Sequence, residues 1–138
     1  MIFIMNIECY TLMFDGGSRG NPGLCGSGYV ILNNDAVEFE GYQKVSDNNT
    51  NNFAEYMGII LGMKLALEHD IDILHIKGDS LLVINQLTGK WKVKSDTIKT
   101  LYTQAKTLLG QFKMVTLSHV KRENNKLADA LANKAMDL

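Results

Sequence analysis

With 138 residues, 46% of them hydrophobic, the chain can bury about two thirds of its extended surface in one core and is too short and uniform for a second domain. Fourteen basic against fifteen acidic residues leave a formal charge of −1. That excludes the strongly basic class of nucleic-acid binder but not nucleic acid itself, since bound metal can neutralise acids.

The opening Met1-Ile2-Phe3-Ile4-Met5 run is too short for a secretory signal and lacks a basic start and a small-residue cleavage site. No apolar stretch reaches membrane-spanning length, so a soluble, cytoplasmic product without a membrane partner is expected. Residues 5–14 read as a first strand, with apolar residues on both parities as in a central strand covered on two faces. Within it, Cys9 is expected as a small buried hydrophobe. Cys9 and Cys25 lack metal-ligand spacing. Free thiols in a reducing compartment are the default and a disulfide between them the alternative.

The strand is expected to end on Asp15, followed by a glycine-rich turn, Gly16-Gly17-Ser18-Arg19-Gly20-Asn21-Pro22-Gly23. Residues 26–32 give a second strand and Asn33-Asn34-Asp35 a hairpin turn. Residues 37–45 give a third strand, completing an antiparallel meander, and a polar loop covers 46–51.

From Asn52 the apolar period becomes helical: Phe53, Met57, Ile60, Leu61, Lys64 and Leu65 form one stripe, and Ile59, Met63, Ala66 and Leu67 another. Asn52 with Glu55 matches a capping box. The helix closes at His69-Asp70, and residues 71–77 form a fourth strand. Gly78-Asp79-Ser80 turns into a short helix over 81–87, stopped near Gly89. A loop with Lys90, Trp91, Lys92 and Lys94 follows. The next helix is capped by Asp96 or Thr97 and stopped by Gly110. A fifth strand spans 114–118, a polar loop 119–125, and a last helix 126–136 with Leu127, Leu131 and Ala135 on one face. This order describes an α/β fold with a five-stranded mixed sheet, three strands antiparallel then two parallel, and helices on both faces.

Four acids fall at element boundaries. If strands one and four are parallel neighbours, Asp15 and Asp79 project from one sheet edge, and Glu55 and Asp129 can face it from the starts of two helices. Carboxylates crowded in this way resist ionisation unless a cation lies between them. Oxygen ligands without a His or Cys cluster suit magnesium or manganese. Phosphodiester hydrolysis needs such a site, with two ions ~3.5–4 Å apart serving the attacking water and the leaving oxygen. Asp15 is assigned as the bridging ligand, Glu55 and Asp79 to one ion, and Asp129 with Asp15 to the ion orienting the water. Taken singly, Asp15 could be only a turn residue and Glu55 only a cap.

Four segments in order, Phe14 to Gly23, Thr50-Asn51-Asn52-Phe53-Ala54-Glu55, Gly78-Asp79-Ser80 and His119 to Asp129, resemble the type 1 ribonuclease H family over nearly the whole chain. The resemblance implies a ribonuclease H-like fold, a single catalytic domain over 1–138, and an endonuclease cutting the RNA strand of an RNA–DNA hybrid to 5′-phosphate and 3′-hydroxyl ends. It places Asp15, Glu55, Asp79 and Asp129 on the family's metal ligands, for two magnesium ions or manganese in their stead. His119 falls on the mobile-loop histidine, implied in proton transfer or product release. His69 and His75 have no such placement and read as structural.

Asn21, Asn51 and Asn52 fall where the family contacts the groove, with Gly16, Gly17, Ser18 and Ser80 beside them; the 2′-hydroxyl is what marks RNA there. Leu81 stands where many members carry a groove-contacting glutamine, which bears on affinity or cleavage preference. The basic protrusion of some bacterial members is missing, and no separate hybrid-binding domain is expected. Lys90, Trp91, Lys92 and Lys94 occupy the shorter equivalent, expected to grip DNA-strand phosphates; a solvated charged face and a packed tryptophan are the alternatives.

Other readings are a different nuclease, transferase or exonuclease of the same broad fold, an idle hybrid-binding module, and a domain of a reverse transcriptase. Unbalanced acids beside phosphates disfavour the idle module. The initiating methionine and the C-terminus lead to the expectation of a stand-alone protein, and a monomer without an obligate protein partner is expected.

Overall fold

A computed structural model describes residues 8–138. Five strands are present: β1 (Tyr10–Arg19), β2 (Gly23–Asn33), β3 (Ala36–Asn49), β4 (Ile73–Gly78) and β5 (Met114–His119). Four α-helices accompany them: α1 (Asn51–Glu68), α2 (Leu81–Leu87), α3 (Asp96–Leu109) and α4 (Lys126–Met136), with a 3₁₀ turn at Arg122–Asn124. The sheet order is β3-β2-β1-β4-β5. β1, β2 and β3 pair antiparallel, and β1–β4 and β4–β5 pair parallel, as the sequence predicts.

Helices cover both faces because apolar residues alternate along β1. Leu12 and Phe14 enter a large core with Ile59, Ile60 and Met63 of α1 and Leu101 and Ala105 of α3. Met13 points the other way, into a small cluster with Val30 of β2 and Ala128 of α4. α4 lies unusually close to β2: a Cβ on Gly28 would stand 2.5 Å from the Ala128 carbonyl oxygen. Only a residue without a side chain admits the helix there.

Several predicted boundaries move. The start of the expected first strand, residues 5–7, and the Met1-to-Met5 run lie outside the described residues. β1 does not end on Asp15: Gly16 to Arg19 continue it, paired with Ser27 to Leu24. The glycine signal for a turn is overridden by that pairing, and the turn falls at Gly20 to Pro22, where Asn21 has φ 25°. Likewise β3 runs through the expected polar loop to Asn49. β4 begins at Ile73, after Asp70 takes φ 58°.

Caps differ too. Thr50, not Asn52, caps α1 by accepting from the Phe53 N–H, and Ser95 caps α3 by accepting from the Ile98 N–H. The buried face of α4 is Ala128, Ala132, Ala135 and Met136; Leu127 is 52% exposed and Leu131 only flanks the core. Small side chains win this face because the glycines of β2 leave a shallow seat. Cys9 is exposed, not buried; Cys25 is buried, and both are free thiols. Among the described residues no helix is long and apolar enough to cross a membrane.

Candidate active site

The site forms where the sheet forks. β1 and β4 pair in parallel up to Phe14 and Gly78, so Asp15 and Asp79 are the next residues on two strands that have just parted. β1 continues alongside β2, while β4 gives way to α2, whose first turn is capped by the Ser80 hydroxyl accepting from Val83.

Glu55 arrives from α1, which lies against β1 so tightly that a Cβ on Gly16 would meet the Ala54 carbonyl carbon at 2.2 Å. That approach lets the Glu55 carboxylate accept from the Gly16 N–H. Glu55 is therefore not a cap but a buried carboxylate reaching across to β1. Ligand oxygens of Asp15, Glu55 and Asp79 all lie within 4.8 Å of one another. Asp129 stands outside that trio but lines the same cleft, 3.9 Å from Arg122 Nη2.

Crowding and burial act on protonation as expected. Burial, then the neighbouring Asp79 charge and the Asp129 carboxyl, push Asp15 up to about 7, against opposing hydrogen bonds from Glu55 and the Gly16 N–H. Glu55 is pushed well above the ordinary carboxylate range by burial and by Asp15 and Asp79. Both carboxyls thus resist losing their protons. Oxygen donors that resist ionisation together in one pocket are suited to a hard divalent cation, and Asp15, Glu55 and Asp79, with Asp129 beside them, could hold one.

The four acids line one open cleft of about 470 Å³ with Gly16, Gly17, Ser18, Asn51, Asn52 and Ser80, so most of the predicted substrate-binding residues are gathered there. A hydrogen-bonded chain links the glycine-rich stretch to α1. The Ser18 N–H donates to Asn51 Oδ1 at 2.7 Å, and the Asn51 N–H donates to Asn21 Oδ1 at 3.0 Å. Asn21 thereby holds Asn51 and is not itself among the residues lining the cleft. His119 closes β5 instead of opening a loop, and its Nε2 lies 3.3 Å from the Asp79 carbonyl oxygen.

The lysine-rich loop stands apart from the acids. Trp91, 46% exposed, and Lys92 line a separate groove with Gln86, Val93 and Tyr102; Lys90 and Lys94 are exposed beside them. The loop is fixed from below. The Asn85 carbonyl accepts from the Lys90 and Trp91 N–H groups, and Gln86 Nε2 donates to the Lys92 carbonyl at 3.4 Å. The buried Tyr56 hydroxyl, next to Glu55 in α1, donates to Gln86 Oε1 at 2.6 Å.

Sequence reasoning assigned no role to Arg19, Arg122 or Asn125. Arg19 and Arg122 are the cations of the cleft lining. Asn125 is 1% exposed and donates from Nδ2 to the Phe14 carbonyl at 2.9 Å. Its sequence signals were its place inside the His119-to-Asp129 segment and its position just before a helix, where an Asn ordinarily reads as a cap.

The reverse-transcriptase-like family model matches residues 13–135. Among curated relatives, the bifunctional protein Rv2228c of Mycobacterium tuberculosis is 43% identical over 125 residues, covering 89% of this chain; the chain spans 34% of that protein's length. The crystal structure of RNase H1 from Halobacterium salinarum superposes with a TM-score of 0.89 at 38% identity, covering 93% of this chain and 97% of that one. LC11-RNase H1, crystallised with an RNA/DNA hybrid, gives a TM-score of 0.86 at 31% identity, covering 93% and 96%.

Proposed function

The chain belongs to the ribonuclease H family, and we propose that it is a divalent-metal-dependent endonuclease that hydrolyses the RNA strand of RNA–DNA hybrids. The observation that carries this reading is the convergence of Asp15, Glu55 and Asp79 where the parallel strands part. The similarity to an RNase H1 crystallised on a hybrid supports the substrate class.

In this reading residues 1–138 act as one catalytic domain, working as a monomer in the cytoplasm. Asp15, Glu55, Asp79 and Asp129 would hold two magnesium ions, or manganese in their stead, with Asp15 shared. Divalent ions in such a site supply an activated water and charge stabilisation of an in-line phosphodiester displacement. The chain's own residues do the rest. Gly16, Gly17 and Ser18 admit the ribose backbone closely, and Asn51 and Asn52 reach it from α1, with Asn21 holding Asn51 in place.

A groove that distinguishes the 2′-hydroxyl from hydrogen restricts cleavage to the RNA strand. In this reading His119, whose Nε2 lies 3.3 Å from the Asp79 carbonyl oxygen, takes or gives a proton as product leaves. Lys90, Trp91, Lys92 and Lys94 grip the DNA-strand phosphates at a distance from the acids. The products carry 5′-phosphate and 3′-hydroxyl ends.

The test is cleavage of an end-labelled hybrid by wild type and Asp15→Asn with magnesium or manganese, alongside thermal unfolding. The reading expects a folded variant with turnover lowered by several orders of magnitude. Normal cleavage by Asp15→Asn would defeat the assignment.

A further inference from the structure

We propose that Asn125 is a positioning residue whose buried side-chain hydrogen bond sets the distance between Asp129 and Asp15. This rests on the ribonuclease H reading for its activity arm but not for its metal-binding arm.

Asp15 and Asp129 lie on different elements, β1 and α4. One covalent and two hydrogen-bonded links join them through Asn125. Its Nδ2 donates to the carbonyl of Phe14, the residue before Asp15, at 2.9 Å. Its own carbonyl accepts from the Asp129 N–H, one helical turn on, at 3.1 Å. The acceptor is a carbonyl, so the amide orientation is fixed by chemistry.

Asn125 does not serve as an ordinary cap: its side chain makes no capping bond to α4. It is 1% exposed, and its Oδ1 has no hydrogen-bond partner among the described residues. The one bond its side chain makes reaches β1 instead, at the residue before Asp15.

The other end of α4 is held differently. Arg19 Nη1 donates to the Met136 carbonyl at 3.2 Å, and Nη2 pairs with Asp137 at 2.5 Å. Both partners of that ion pair are about half exposed or more, so solvent screens it. The buried Asn125 bond, adjacent to both acids, is the tighter reference for Asp129.

The test compares wild type, Asn125→Asp, Asn125→Ala and a control, Leu131→Ala, which removes α4 packing without touching the link. Asn125→Asp keeps the shape but presents an oxygen to the Phe14 carbonyl. Mn²⁺ binding is read by electron paramagnetic resonance without substrate, kcat and KM on hybrid separately, and melting temperature for each.

Both Asn125 variants are expected to bind Mn²⁺ about tenfold more weakly and to lose about tenfold or more in kcat, the range for a group supporting a metal ligand. KM should move less than threefold, since the groove contacts are elsewhere, on β1 and α1. Leu131→Ala should lower the melting temperature yet keep Mn²⁺ affinity and kcat. Wild-type Mn²⁺ affinity and kcat in a folded Asn125 variant overturn the proposal, as does equal loss in Leu131→Ala. Failure of both Asn125 variants to fold while the control folds makes the residue purely structural and also overturns it. If wild type leaves the hybrid uncut but the Asn125 variants lose Mn²⁺ affinity, the hydrolytic reading fails and the positioning role stands.

Discussion

Asp15 occupies a place where an isolated carboxylate is poorly tolerated, buried and faced by Glu55, Asp79 and Asp129. The unfolded chain releases this proton near pH ~4, whereas the folded chain holds it to about 7. Between those values the folded state binds more protons, so metal-free stability falls as pH rises from about 4 to 7. Asp15→Asn removes much of that slope. In chelator, its melting temperature should depend less on pH between 5 and 8 and exceed the wild type's at pH 7.5; an unchanged slope would contradict the assignment. Gly16→Ala tests the same corner sterically. Its Cβ would press on the Ala54 and Glu55 backbone, and a loss of about 1–3 kcal/mol or more is expected by denaturant titration.

α4 is the element whose face the sequence misstates. Leu127, Leu131 and Ala135 suggest a leucine-lined stripe, but alanines face the sheet. Leu127→Ser should therefore shift stability by no more than about 0.5 kcal/mol. Ala132→Leu, aimed at the shallow seat over Gly28, should cost about 1–3 kcal/mol, and the reverse ranking in thermal melts would refute the packing described.

Strand order and the positions of the four acids were legible because apolar period and breaker residues dominate there. The continuation of β1 through Gly16-Gly17 was not, since glycines read as a turn until β2 and α1 are known to press on both sides. Asn125 was illegible for a related reason: its partner, the Phe14 carbonyl, is 111 positions away and carries no side-chain signal.

Across the whole molecule, a formal charge of −1 conceals a division of labour. Acids gather in one cleft, and lysines gather on a loop held from below by Asn85 and by the Tyr56–Gln86 pair. Lys92→Ala should raise KM for hybrid more than it lowers kcat and should flatten the dependence of log affinity on log salt by about one phosphate contact. An unchanged salt slope would remove the loop from the interface.

The most direct measurement sets RNA–DNA hybrid beside double-stranded RNA, double-stranded DNA and a duplex with one embedded ribonucleotide, each with magnesium, manganese or chelator. Cleavage confined to the RNA strand of the hybrid, dependent on the metal and leaving 5′-phosphate ends, is the result this account predicts. A hybrid left whole under every metal condition, or DNA cut in its place, would contradict it.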